Sequence, residues 1–124
     1  MVIHKSAEDY LESILVLHQR RGTVRSIDIV NELGYSKPSV SIAMKKLRES
    51  GYITMAADGT ITLNESGLEI AKRVYSRHRA VTRLFTLLGV SEEQAAEDAC
   101  KVEHDQSDET YACICAFIAK QDGE

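Results

Sequence analysis

Apolar residues recur along most of this chain at helical spacing, and one short region departs from it. Leu11, Ile14 and Leu15, with His18 as a fourth position, form a stripe that predicts a first helix over residues 6–20. Ser6 is read as its cap, with Glu8 and Asp9 in the first turn, where the helix dipole favours acids. Gly22 interrupts the pattern. Ser26–Leu33 predicts a short second helix capped by Ser26 and closed by Gly34-Tyr35. A third helix is expected from Ser36, with Pro38 in the first turn, where a missing N–H is harmless. Val40, Ala43, Met44 and Leu47 give it one buried face, and Gly51 ends it.

A short helix, a glycine-containing turn and an amphipathic helix make a helix-turn-helix. Residues 52–56 and 60–63 then switch to apolar/polar alternation around Ala57-Asp58-Gly59, which predicts a two-stranded hairpin. A helix-turn-helix followed by a hairpin is a winged helix, a fold whose ligand is double-stranded DNA. From Asn64, a plausible cap, a long helix is expected with Ala71, Val74, His78, Val81, Phe85 and Leu88 in a heptad-like seam. Gly89 stops it, and Ser91 caps a fifth helix that carries Cys100, Glu103 and His104. Ser107-Asp108-Glu109 opens a last helix with Tyr111, Ile114, Cys115 and Ile118 on one face. The predicted fold class is mainly α with a small β-hairpin: a winged helix-turn-helix over residues 1–63 and a helical domain over 64–124.

Composition narrows the function classes. The longest apolar runs are too short to span a membrane. Lys5, Glu8, Asp9 and Glu12 interrupt any N-terminal apolar run, so no secretory leader is expected. Three cysteines without a CxxC pair fit a reducing compartment, and the expected location is cytoplasmic. The net charge of −4 is unevenly spread. Residues 1–83 carry thirteen Lys/Arg against nine Asp/Glu, and residues 84–124 carry two against ten. That asymmetry suggests a basic face for a polyanion.

The exposed face of the third helix is expected to present Ser39, Ser41, Lys45 and Lys46, with Ser36 and Lys37 at its start. Hydroxyls near the N-terminus of such a helix approach base edges or phosphates, and lysines contact phosphates. The wing tip is poor in basic residues. Lys72, Arg73, Arg77, Arg79 and Arg83 form a second basic run that is a further candidate for the phosphate backbone.

Residues 98–104, DACKVEH, place a thiol, a carboxylate and an imidazole at i, i+3 and i+4, which share one helical face. These are the ligand types that bind divalent transition metals. One turn of helix cannot surround an ion, so partners are needed elsewhere. Asp9 and Glu12 share a face of the first helix, and His78 sits inside an apolar seam; each taken alone is ordinary surface or core. Cys100 and His104 also suggest a nucleophile and its base, but no oxyanion hole or orienting group accompanies them, and an enzyme is not expected.

With helix-turn-helix, wing, seam histidine and DACKVEH in that order, the chain resembles the diphtheria toxin repressor and manganese transport regulator family. The most specific segments are Glu8-Asp9-Tyr10-Leu11-Glu12, Tyr75-Ser76-Arg77-His78 and residues 98–104. The resemblance implies a metal-dependent repressor of iron or manganese uptake genes, acting as a homodimer on a palindromic operator, with residues 64–124 as the dimerisation domain. It implies metal ligands at Asp9, Glu12, His78, Cys100, Glu103 and His104. Asp9 and Glu12 match the manganese-sensing branch, where the residue equivalent to Cys100 is a glutamate that bridges two ions. A cysteine there is similar to the iron-sensing branch, whose ancillary site needs a glutamate and a histidine where this chain has Thr82 and Ala96. That site is therefore expected to be absent, and so is the branch's SH3-like domain, since the sequence ends at Glu124.

A thiolate shifts preference from Mn²⁺ towards Fe²⁺, Co²⁺ or Zn²⁺, whereas two carboxylates suit Mn²⁺. Fe²⁺ or Mn²⁺ is the expected metal, with Zn²⁺ or Co²⁺ as alternatives. A cation held by all six ligands would tie the first helix to the two central ones. It would thereby favour the spacing, about 34 Å, at which paired recognition helices enter successive major grooves. The rival reading is a winged-helix regulator that senses a small molecule or oxidant through Cys100.

Overall fold

The computed structural model describes residues 5–123. The element order is α1 (Lys5–Arg21), α2 (Ser26–Leu33), α3 (Lys37–Glu49), β1 (Ile53–Met55), β2 (Ile61–Leu63), α4 (Glu65–Leu87), α5 (Glu92–Val102) and α6 (Asp108–Asp122). The chain divides into two compact units, one ending at Arg73 and the other beginning at Val74, so the division falls inside α4.

The first unit is a winged helix. α1 buries Leu11, Ile14, Leu15 and Leu17, while His18 is exposed and drops out of the expected stripe. Ser6 lies within α1, which already begins at Lys5, so it is not the cap. α2 is capped at Arg25, not at Ser26. The Asp28 carboxylate accepts from the Arg25 backbone N–H at 2.9 Å, reaching back from the third helical residue to a donor the helix leaves unpaired. Gly34 ends α2 with φ 72°, a left-handed turn that its lack of a Cβ makes cheap, and it turns the chain into α3. Ser36 caps α3 by accepting from the Ser39 N–H at 3.2 Å. Val40, Met44 and Leu47 are the buried face of α3.

β1 and β2 pair antiparallel in the register Ile53↔Leu63 and Met55↔Ile61. Gly59, at φ 89°, lets the tip turn, and Asp58 Oδ1 accepts from the Thr60 N–H at 3.0 Å. The hairpin is shorter than its alternating pattern, because only the three central pairs keep ladder geometry. The Asn64 side chain fastens the wing to the helix that follows. Its amide donates to the Gly51 carbonyl at 3.0 Å, and its oxygen accepts from the Thr54 hydroxyl at 2.6 Å.

The first turn of α4 approaches this junction so closely that a Cβ on Gly67 would lie 2.2 Å from the Tyr52 carbonyl oxygen. Gly67→Ala is therefore expected to destabilise the first unit by about 1–3 kcal/mol, as overpacking does. That outweighs the roughly 1 kcal/mol that alanine gains over glycine inside a helix. Urea denaturation should show a lower midpoint; an unchanged or higher one would rule out the close approach.

The second unit contains the rest of α4 with α5 and α6. Val74, Val81, Ala95 and Ala99 are buried. Ser91 and Ser107 cap α5 and α6 by accepting from the N–H groups of Gln94 and Thr110, at 3.3 and 3.1 Å. Leu88 leaves the seam: α4 ends one residue earlier and Leu88 is 69% exposed. Val102 and Phe117 are also exposed, so this unit carries apolar surface that it does not cover itself. Among the described residues, no helix is long and apolar enough to cross a membrane.

Candidate metal centre and nucleic-acid interface

α5 is shorter than the sequence predicts. It ends at Val102, so Glu103 is its C-cap and His104 lies in the following turn. Cys100, Glu103 and His104 are thus not three residues of one helix. Glu103 nevertheless keeps helical backbone angles (φ −59°, ψ −29°), and its N–H donates to the Ala99 carbonyl at 3.0 Å. Its side chain therefore still projects from the face that carries Cys100.

α4 brings His78 to the same place. Its position is fixed by the buried Val74 and Val81 on either side in the seam. His78 Nδ1 lies 2.7 Å from Glu103 Oε2 and 3.8 Å from Cys100 Sγ. One ligand atom each from His78, Cys100 and Glu103 falls within 4.8 Å of the others. The Glu103 carboxylate is buried, with the residue 1% exposed. Its Oε1 makes no hydrogen bond and lies 3.5 Å from Nε2 of His104, whose side chain is 2% exposed.

These donors fit a divalent transition metal. Metal–ligand bonds of 2.0–2.3 Å put neighbouring donors of one ion roughly 3–4 Å apart. The separations here need only small adjustments to reach that range. A buried carboxylate oxygen without a hydrogen bond is costly unless something cationic or a donor meets it. The His78 proton serves only the other oxygen, Oε2. The Cys100 sulfur and the Glu103 carboxylate, both facing the ring, push the His78 pKa up to about 10. Asp9 and Glu12 stand one turn apart on α1, both half-buried.

On the winged helix, Lys37, Ser41, Lys45 and Lys46 of α3 are exposed, and so is Arg48. Ser36 and Ser39 are exposed too, but their hydroxyls bond each other at 2.8 Å at the start of α3. Ile42 stands among them, 58% exposed. Ser41, Ile42, Lys45 and Arg48 border a cleft of ≈ 260 Å³ whose other walls include Ser26 and Met55 of the wing. The wing tip presents an acid: Asp58, whose pKa is lowered chiefly by the Thr60 backbone N–H, lies 3.8 Å from Arg25.

Three of the five basic residues in the α4 run already have acceptors. Arg73 donates to Glu8 at 2.9 Å, and Arg83 to Asp122 at 2.6 Å. Arg77 donates to the Gln106 carbonyl at 2.8 Å and to the Asp108 carboxylate. Charge spacing along a helix says which residues share its surface, but not that tertiary carboxylates already meet them. Arg77 and Glu8 were thus missed as structural groups, although both lie in the specific segments noted above.

Both parts of the chain match described families. Residues 3–61 match the N-terminal DNA-binding domain of the iron dependent repressors, and residues 64–122 match their metal-binding and dimerisation domain. An uncharacterized HTH-type transcriptional regulator of Methanocaldococcus jannaschii is 34% identical over 118 residues, 94% of each chain. The transcriptional regulator MntR of Salmonella typhimurium is 36% identical over 110 residues, 89% of this chain and 70% of that one. A solved manganese-dependent transcriptional repressor in complex with manganese superposes with a TM-score of 0.83 at 29% identity, covering 91% of this chain. The chain spans about half, 52%, of that structure's length. Matched over both of its parts, the chain belongs to the iron-dependent repressor family, whose members are DNA-binding transcription regulators and not enzymes.

Proposed function

We propose that this protein is a metal-activated repressor of genes for metal uptake. The reading rests on one observation: His78, Cys100 and the buried Glu103 carboxylate converge within 4.8 Å. Fe²⁺ or Mn²⁺ is the proposed corepressor, with Zn²⁺ or Co²⁺ as alternatives, because one soft thiolate stands among harder donors. His104, beside Glu103, is the fourth ligand. Asp9 and Glu12 join the set on the strength of their motif alone.

The proposed boundary between the DNA-binding and metal-binding domains lies between residues 63 and 64, just before α4. Ser36, Lys37, Ser39, Ser41, Lys45 and Lys46 are the proposed DNA contacts, supported by the exposure of this face of α3. Ser36 also caps the helix, and its hydroxyl donates to that of Ser39. The exposed Leu88, Val102 and Phe117 support a homodimer, since a unit this small gains from covering apolar surface with a second copy. A two-fold dimer calls for a palindromic operator in double-stranded DNA, read in the cytoplasm.

A bound metal would supply positive charge and directional bonds in place of the His78 proton that lies between Glu103 and Cys100. If Asp9 and Glu12 also held the cation, as proposed, it would favour the recognition-helix spacing that DNA selects. A coupling of about 1–3 kcal/mol would change DNA affinity 5- to 150-fold.

The test is a gel shift on duplexes selected from a randomised pool, with Mn²⁺ or Fe²⁺ and with a chelator. Tight binding only with metal is expected. Equal affinity in both conditions refutes the switch, and peroxide-dependent loss of binding without metal would favour the redox reading of Cys100. In the same assay Lys45→Ala should weaken all duplexes alike and reduce the log–log salt slope by about 1. An unchanged slope would remove Lys45 from the interface.

A further inference from the structure

We infer that Arg77 is a positioning residue for the metal centre, a strut that holds the turn bearing Glu103 and His104 in place. The inference rests on the metal-site reading above. Five residues, 103–107, link α5 to α6, and two of them are proposed ligands. A short turn holds ligand geometry only if something outside it fixes its path. Arg77 supplies that restraint. Its guanidinium donates to the Gln106 carbonyl at 2.8 Å and to Asp108, the first residue of α6. It also sits 5.0 Å from the centre of the Tyr111 ring, one turn further along α6. The Arg77 side chain is only 11% exposed, so its bond to the Gln106 carbonyl is sheltered from water, while the Asp108 carboxylate stands open to solvent. A planar fork matches two acceptors and an aromatic face at once, which a lysine does not.

The sequence position adds to the case. Arg77 directly precedes His78, so one stretch of α4 both contributes a ligand and clamps the segment that carries two more. The 2.7 Å approach of His78 to Glu103 is thereby set from both sides. This also explains why Arg77 stands in a basic run yet faces a carbonyl and a carboxylate. Groups that orient ligands without touching the metal typically change affinity 10–100-fold when removed.

The test titrates the 124-residue chain with Co²⁺, whose visible absorption reports the thiolate and the coordination number. Arg77→Gln is expected to raise the Co²⁺ Kd at least tenfold and to speed amide exchange at residues 104–107 in the metal-free protein. Arg77→Lys should be intermediate. Arg83→Gln, which removes an exposed ion pair from the same helix, is the control and should keep the parent Kd. Parent-like affinity and exchange in Arg77→Gln would overturn the inference while leaving the metal-site reading intact. An equal loss in Arg83→Gln would also overturn it, by assigning the effect to general loosening of the helix. If the parent protein binds no Co²⁺, the metal-site reading itself fails and the strut falls with it.

Discussion

Replacing His78 with alanine is expected to leave a folded winged helix that no longer responds to metal. The substitution removes a nitrogen donor from the three-residue convergence and leaves Cys100 and Glu103 with no partner from α4. Loss of an outer-shell group alone costs up to about 100-fold in affinity, so loss of a direct ligand should cost at least about 100-fold. The metal-free protein should also suffer, because Glu103 Oε2 loses its 2.7 Å partner while staying buried. Breaking a buried pair from one side costs about 3 kcal/mol at the low end of the measured range, the appropriate end because His78 is partly exposed. Calorimetric titration with Mn²⁺ checks the first effect and thermal unfolding the second. Parent affinity in this variant would exclude His78 as a ligand. The first unit ends at Arg73, so its helix-turn-helix should keep its secondary structure and its weak, metal-independent affinity for DNA.

The variant also shows what pattern reading could and could not reach. The seam over Ala71, Val74, His78 and Val81 was legible because a buried helical face repeats every three or four residues, and three of these four positions are indeed buried. The winged helix was equally legible, since Gly34 and Asp58-Gly59 mark turns through backbone chemistry that acts locally. The capping of α2 was not. Ser26 is the stronger cap by propensity, yet the carboxylate of Asp28 reaches the Arg25 N–H and starts the helix one residue earlier. The end of the seam failed differently: Leu88 is apolar and in phase, but α4 stops at Leu87 and the phase no longer applies.

DACKVEH points to three potential donors, and Glu103 still shares the face of Cys100 although α5 stops at Val102, because it keeps helical angles past the last helical residue. The destinations of Arg73, Arg77 and Arg83 were invisible. Periodicity tells which residues share a helix face, whereas an arginine's partner depends on which distant segment packs there. Asp9 and Glu12 were singled out by motif and remain proposals on that ground.

Metal affinity should rise steeply with pH across the neutral range, and His78 sets the window. Its folded pKa is raised from the ordinary 6.5 to about 10 by Cys100 and Glu103, so the ring is an imidazolium in the metal-free protein at neutral pH. A raised pKa means that the imidazolium's contacts add stability to the metal-free fold. That stability is fully present below about pH 6.5 and is lost as pH rises through about 10. A metal held by His78 would need the neutral ring, so between these limits each ion bound would expel the His78 proton. One displaced proton makes the apparent affinity change about tenfold per pH unit, or roughly 100-fold between pH 6.5 and 8.5.

The two effects oppose each other in a stability measurement. Without metal the protein should be more stable at pH 6.5 than at pH 9.5, and with saturating Mn²⁺ the order should reverse. Thermal unfolding at both pH values, with and without metal, reads this directly, and proton release on titration in two buffers of different ionisation heat counts the protons. His78→Ala should lose the His78 share of both trends. A pH-independent affinity between 6.5 and 8.5 would mean that the His78 ring does not give up a proton to the metal. The convergence with Cys100 and Glu103 would then be an ion pair of the core and not a sensor.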